Sequence, residues 1–418
     1  MTSSAPAQAS GRTVNTSWAF SLFGTAVGAG ILFLPINAGS FGFWPLLIAT
    51  ILIAPMTYLS HRALARIMCV SPRQGEDITV VVTDYFGRKV GLVISVLYFF
   101  AIYPIVLIYG VSITNTVDSF IVNQFNGPHI NRTLLSFLLI GAMTLVFAFS
   151  EKLMLYLTQF IVYPLILCLA GVSIYLIPQW DLQSFMEVDS GNSLALIGGI
   201  IMILPVLVFS FNHSPAISQF SLAMQRQWGI KSHENASKVL LATALMLTVF
   251  TMFFVWSCTL ALGADGLQEA REQNIPVLSY LANISGVPVL AYLSPVIAIL
   301  AIISSYFGHV LGTTEGARYI LKKVSPSLAE RTTHQQITNI AYALIFITTW
   351  IAAILNPDIL GLIESIGGPF IAAILYLMPI WAIYRIDALK GFRGRWTNWL
   401  VVVLGVITIS AAVWGLFN

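Results

Sequence analysis

The sequence is poor in charge. Only 9% of its 418 residues are Asp, Glu, Lys or Arg, against roughly 25% in an ordinary soluble domain. Twenty basic and 17 acidic side chains cannot cover a soluble globule of this length. A net charge of +3 is too small and too scattered for a nucleic-acid binder. Cysteine is scarce: Cys69, Cys168 and Cys258 stand too far apart for a disulfide framework or a metal cluster, and read as small apolar residues in or beside spans. There is no His-Glu-x-x-His, Gly-x-Ser-x-Gly or phosphate-binding loop, so no enzyme chemistry is expected, and no cofactor apart from a coupling ion. Residues 1–15 are polar with one charge, Arg12, and the apolar stretch after them is too long for a signal core, so no cleaved signal is expected.

What is abundant is hydrophobicity, at 57% of residues with a mean hydropathy of +0.85. A membrane-crossing helix needs roughly 20 apolar residues. On that scale the chain reads as an all-α integral membrane protein with eleven spans, at 16–37, 42–65, 90–120, 132–149, 153–176, 194–222, 237–262, 288–311, 337–356, 360–384 and 397–416. A barrel would show short alternating segments instead. Basic residues orient the bundle. With the N-terminus in the cytoplasm, only Arg132 and Arg271 of the 20 basic residues fall outside. A miscounted span would send every later loop to the wrong side, so this bias supports eleven. The C-terminal Leu416-Phe417-Asn418 then lands outside. Connecting segments are short. Within the 66–89 loop, Glu76 to Phe86 reads either as an interfacial helix or as an ordinary connector.

Two spans are interrupted. Span 1 reads Phe23-Gly24-Thr25-Ala26-Val27-Gly28-Ala29-Gly30-Ile31-Leu32-Phe33-Leu34-Pro35, and span 6 reads Pro205-Val206-Leu207-Val208-Phe209-Ser210-Phe211-Asn212-His213-Ser214-Pro215. Each glycine costs ~1 kcal/mol of helix propensity, and proline removes a donor. Broken backbone at membrane depth is tolerated only in protein or along a cavity. Breaks five spans apart are what an inverted repeat of five helices produces: 16–176 and 194–384, with 397–416 as an eleventh helix and 1–15 as a cytoplasmic tail. Freed amides and a half-helix N-terminus suit a carboxylate, and freed carbonyls suit an ammonium or a metal ion. Close packing at glycine and simple kinking at proline are the plainer reading of either span alone. A channel is the rival class, because broken helices also build selectivity filters.

The first break, with Leu34-Pro35, resembles the unwound first helix of the leucine-transporter (LeuT) fold, the type example of this architecture. More specifically, the chain resembles the hydroxy and aromatic amino acid permease family in its serine/threonine branch. The stretches that carry the likeness are Phe33-Leu34-Pro35-Ile36-Asn37-Ala38-Gly39, Tyr98-Phe99-Phe100-Ala101-Ile102-Tyr103-Pro104, Ile113-Thr114-Asn115-Thr116, Phe209 to Pro215, Glu272-Gln273-Asn274-Ile275, Leu278 to Asn283, Gly308-His309, and Ile363-Glu364 with Gly367-Gly368-Pro369. The resemblance implies cation-coupled import of serine or threonine across a bacterial inner membrane, with tryptophan or tyrosine as the aromatic branch's alternative. It implies no obligate protein partner, only the bilayer and a small amino acid. One departure stands out: where the family pattern has a lysine before Phe-x-Gly-His, this chain has Ser304.

On that basis the amino acid is expected between the breaks, with Ala26, Gly28, Ala29 and Gly30 on one side, Ser210, Asn212, His213 and Ser214 on the other, and Tyr103 from span 3. The fold's shared sodium site falls on Gly24, Val27, Ala301, Ser304 and Ser305, all offering oxygen. Gly24 and Ser304 lie roughly 12 and 10 Å from the inner ends of their spans at ~1.5 Å per residue, so the depths agree. A second sodium site is not expected, because the fold's asparagine ligand falls on Ile31. The plainer reading of Ser304 and Ser305 is bonding back to their own helix. Proton coupling through Glu364 or His309 is the alternative. Glu364 reads as the only carboxylate plainly inside a span, either a titrating or gating group or a structural acid. His61 reads as interfacial. Tyr98 and Tyr109, like Tyr103 on the span that lines the cavity in the resembling fold, read either as closing over the ligand or as packing, and Asn115 and Thr116 as a second polar cluster or interhelical contacts.

Overall fold

The computed structural model describes residues 11–149, 151–187 and 193–415. Residues 1–10 of the expected tail and Leu416-Phe417-Asn418 lie outside them. Among the described residues there is no strand. The helices are α1 (Gly11–Ala26), α2 (Ala29–Gly39), α3 (Phe43–Val70), α4 (Ile78–Phe86), α5 (Arg88–Phe125), α6 (Arg132–Phe149), α7 (Glu151–Leu176), α8 (Leu182–Glu187), α9 (Ser193–Ser210), α10 (Ile217–Trp228), α11 (Ser232–Glu272), α12 (Val277–Ile284), α13 (Pro288–Val324), α14 (Pro326–Arg331), α15 (His334–Leu355), α16 (Ile359–Arg385) and α17 (Trp396–Gly415). With Ser193–Glu272 taken as one run, eight are long and apolar enough to cross a membrane, or nine when α1 and α2 count as one bent span. Residues 132–146 form a shorter apolar helix.

The sequence explains where the helices stop. α1 ends at Val27-Gly28 and α2 leaves at 58° to it. α9 ends at Ser210, and a single turn, Ser214–Ala216, leads into α10. α11 is kinked at Gly263, whose φ of 64° favours glycine. α15 opens on a capping box between Thr333 and Gln336, and Asp358 caps α16 through the amides of Leu360 and Gly361. α16 contains two π-helical turns, Ile363–Gly367 and Ala373–Leu377. Such turns are frequent at functional sites.

At the centre, α13 packs against α5, α7 and α1, and α2 lies between α9 and α11. Residues 22–39 are all buried, so the broken first span is enclosed by protein rather than lipid.

Several expectations shift. α1 begins at Gly11, inside the segment read as a tail. The 66–89 loop does hold a helix, α4, but Ile78, Val81 and Val82 are buried in the bundle. α13 runs on to Val324, 13 residues past the expected end at 311. Hydropathy stops there because Thr313, Thr314 and Glu315 are polar, yet all three are buried. Glu364 is therefore not the only carboxylate inside a spanning helix. His61 is not interfacial either, being 1% exposed and stacked on another histidine.

α16 reaches α9 at Gly368, where an added Cβ would lie 2.7 Å from Pro205 Cβ and 2.8 Å from its Cα. That neighbour is backbone and cannot turn aside. Gly368→Ala should cost about 1–3 kcal/mol as overpacking, seen as a lower unfolding midpoint in detergent. Gly286→Ala, with nothing within 4 Å of its Cβ, should leave the midpoint unchanged.

Candidate functional site

A helix end leaves four backbone carbonyls without intrahelical partners. At the end of α1 these include Gly24 and Thr25, and α13 meets both. Ser304 Oγ donates to the Gly24 carbonyl at 3.2 Å, and Ser305 Oγ to the Thr25 carbonyl at 2.8 Å. The serines therefore cross to another helix instead of bonding back to their own. Because the Ser305 hydroxyl donates to a carbonyl, Tyr109 Oη, 2.6 Å from it, is the donor in that pair. His309 Nδ1 donates to the Ser305 carbonyl at 2.8 Å, and its ring lies edge-on to Tyr109. Val27 sits in the break and Ala301 one turn before Ser305, both fully buried. Gly28 is required here: an added Cβ would come within 2.4 Å of Ser305 Cβ and 2.8 Å of Tyr109 Oη.

On the other side of the break, α2 starts from Gly28, which offers no side-chain cap. The first amides of α2, at Ala29 and Gly30, have no carbonyl four residues back within a helix. Gly30 faces the second break directly, where an added Cβ would come within 2.6 Å of Phe209 Cδ1 and 3.0 Å of Ser210 Cα. The two breaks predicted from sequence thus meet.

The second break is held by local bonds that leave two polar atoms over. Ser210 Oγ donates back to Val206, and the Ser214 amide donates to Asn212 Oδ1 at 3.0 Å. Asn212 Nδ2 is left buried without a partner. His213 Nδ1 donates to the Phe211 carbonyl at 3.1 Å, which leaves its Nε2 buried and unpartnered. Behind it, His61 stacks on His213 with ring centroids 3.6 Å apart. His61 donates from Nδ1 to the Thr57 carbonyl and accepts the His213 amide at Nε2, so its neutral tautomer is fixed. Buried polar atoms without partners are rare and need a reason. Here a donor and an acceptor stand in one break, opposite another.

The far end of α2 is tied differently. Asn37, near the end of α2, donates to Glu364 Oε1 at 2.8 Å, and Arg271 of α11 lies 3.6 Å from Glu364 Oε2. Arg271 is one of the two basic residues expected outside. Asn115 Nδ2 donates to the Asn274 carbonyl at 2.8 Å and to Asn356 Oδ1 at 3.1 Å, joining α5 to two loops.

Tyr103 stands apart from this group. Half-buried, it stacks on Phe99 at 4.8 Å, whereas Tyr109 is the span-3 tyrosine that reaches the break, through Ser305. A signal for this was available. Tyr98 and Tyr109 are about three turns apart at ~3.6 residues per turn and share a face, whereas Tyr103 points about 140° away. Phe209 and Thr25 were also missed, and neither has a residue-type signature.

Comparison with known proteins agrees with this architecture. The chain is 43% identical over 411 residues to the serine transporter SdaC of Escherichia coli (strain K12), covering 97% of this chain and 96% of that protein. It is 38% identical over 427 residues to the threonine/serine transporter TdcC of Escherichia fergusonii, with coverage of 97% and 96%. Among solved structures, a mutant manganese transporter of Eremococcus coleocola superposes with a TM-score of 0.62 at 15% identity, covering 99% of this chain and 88% of that one. MhsT in complex with L-phenylalanine superposes at 0.60 and 13% identity, covering 95% and 98%. These likenesses show the fold of membrane transporters. Residues 16–411 match the tryptophan/tyrosine permease family, a family of transporters and not of enzymes, and the chain belongs to it.

Proposed function

We propose that this permease imports serine and threonine together with Na+ by alternating access in a bacterial inner membrane. Counting each broken pair (α1 with α2, α9 with α10) as one crossing, with α3, α5, α6, α7, α11, α13, α15, α16 and α17, gives eleven. They divide into two inverted five-helix repeats and an extra helix, with the N-terminus in the cytoplasm and the C-terminus in the periplasm. Alkaline phosphatase fused after Asn418 should be active and a fluorescent fusion dark. The opposite result removes the eleven-crossing topology.

The observation that carries the ion is the seating of Ser304 and Ser305 on the carbonyls of Gly24 and Thr25. The donor set is neutral hydroxyl and carbonyl oxygen, which suits a hard cation. The hydroxyls of Ser304 and Ser305 with the carbonyls of Gly24, Val27 and Ala301 would hold the ion. Uptake by proteoliposomes should follow an imposed Na+ gradient with no proton gradient present. Ser304→Ala with Ser305→Ala should raise the Na+ concentration for half-maximal uptake about tenfold or more, equivalent to ~1.4 kcal/mol. Uptake that ignores Na+ and follows pH alone would refute sodium coupling.

For the amino acid, the α2 amides at Ala29 and Gly30 suit the carboxylate, and the end of α1 at Ala26 suits the ammonium. The two atoms left over in the second break fit a hydroxyl, with Asn212 Nδ2 donating to its oxygen and His213 Nε2 accepting its proton. Similarity to serine and threonine transporters supports that side chain. A site that pairs a hydroxyl leaves buried groups unsatisfied when the hydroxyl is missing, so alanine should compete roughly 100-fold less well than serine. Asn212→Ala should narrow that gap. Equal competition by alanine in the unmodified protein would show that the hydroxyl is not read here.

A further inference from the structure

Beyond Ser305, α13 continues for about five turns. One residue on this stretch is an acid without a charge partner. Glu315 is 2% exposed, and its Oε2 has no hydrogen-bond partner. It lies roughly 15 Å along the helix from Ser305 at ~1.5 Å per residue, on the side of Lys322 and Lys323. No ion pair among the described residues includes it.

The titratable and charged groups facing it are three: Asp77 from the start of α4, Tyr98 from α5, and Arg318 on its own helix. α10 contributes only the neutral Ser218 and Gln219, which hydrogen-bond the carboxyl and leave Oε2 over. Asp77 is a second acid, engaged in capping α4 through the amides of Thr79 and Val80. Arg318 is turned toward α15, with Nη1 2.9 Å from His334 Nε2 and 3.5 Å from Thr338 Oγ1. Tyr98 Oη is buried and unpartnered. It closes over Gly312, where an added Cβ would lie 3.1 Å from it and 2.9 Å from Pro215 Cβ.

Glu315 therefore sits on the seam where α4, α5, α10 and α13 meet, just past the second break. The seam is stitched by the Ile78 amide donating to Ser218 Oγ at 3.3 Å and by the 2.7 Å pair of Thr83 and Tyr319 hydroxyls. Water is close, because Gln219 is exposed. A carboxylate buried beside another acid and unpaired with a cation is far costlier than the neutral acid, whose O–H is an added donor.

We propose that Glu315 is a proton-binding site at the inner seam: it holds a proton while α4, α10 and α13 are packed together, and gives it to water when they part. The O–H bond breaks, the proton leaves to solvent, and a solvated carboxylate remains. The proton is taken from and returned to the same side, so it does no work on the amino acid. It makes inner opening respond to cytoplasmic pH. The words inner and cytoplasmic rest on the orientation and alternating access proposed above; the proton site itself does not.

Infrared pH-difference spectra of the purified full chain test the site without substrate. The unmodified protein should show a carboxylic-acid C=O band at neutral pH that bleaches on alkalinisation and is missing from Glu315→Gln. Glu315→Asp keeps the group and should return a band at a shifted frequency. In proteoliposomes, exchange of labelled serine should speed up by as much as about tenfold per unit rise in inner-side pH, the limit for one proton, and lose that slope in Glu315→Gln. A band unchanged in Glu315→Gln, or no such band in the unmodified chain, overturns the site. The same pH slope in both proteins overturns the gating. A chain that exchanges no serine at all instead refutes the substrate reading and leaves the infrared result to decide this one.

Discussion

The centre of this molecule depends on finding partners for backbone groups that a broken helix exposes away from water. An unpaired carbonyl or amide at that depth is costly, so a break survives only where side chains meet it. α13 supplies them for the carbonyl end of the first break through Ser304 and Ser305. Tyr109 in turn holds Ser305, which fixes α5 against both helices. The amide end of the same break has no such side-chain cap. The asymmetry gives the site a direction, with oxygen-rich, preorganised ground on one side and donors awaiting an acceptor on the other.

Two acids in spanning helices, Glu364 half-buried and Glu315 buried, show how environment sets role. Glu364 has Asn37 and Arg271 as partners and joins α2, α11 and α16. Its charge is compensated, and it works as a tie. Glu315 has an acid and a phenol for neighbours, with its nearest guanidinium engaged elsewhere. The same side chain is a fixed strut in one place and a group whose charge depends on packing in the other.

The sequence carried much of this arrangement, and the parts it hid have physical reasons. Glycine clusters and prolines in apolar runs marked both breaks, because helix-breaking residues at membrane depth are expensive enough to require a cause. Ser304 and Ser305 came instead from the resemblance to the LeuT fold, whose shared ion site falls on them; two serines in an apolar stretch would by themselves read as bonding back to their own helix. Glu315 was hidden by the rule that exposed its neighbours: hydropathy reads a run of Thr313, Thr314 and Glu315 as leaving the membrane, although tertiary contacts bury all three. His61 was misread because Arg62 follows it, and a flanking charge says nothing about the opposite face of a helix. Phe209 could not be found at all, since one phenylalanine among many has no distinguishing mark before its neighbours are known.

Phe209 has a mechanical consequence. The positions a Cβ would take at Gly30 and Gly367 lie 2.6 Å from opposite edges of its ring, at Cδ1 and Cδ2. The ring acts as a rivet through α2, α9 and α16, and close-packed interiors do not let such a ring slide. Those three segments are pinned to one another at that point. α1 is fastened to a different body, α13, by the two serines. Val27 and Gly28 are the whole of the chain between the part pinned by the ring and the part held by the serines, so the 58° bend of the first span is made by two residues in the site itself.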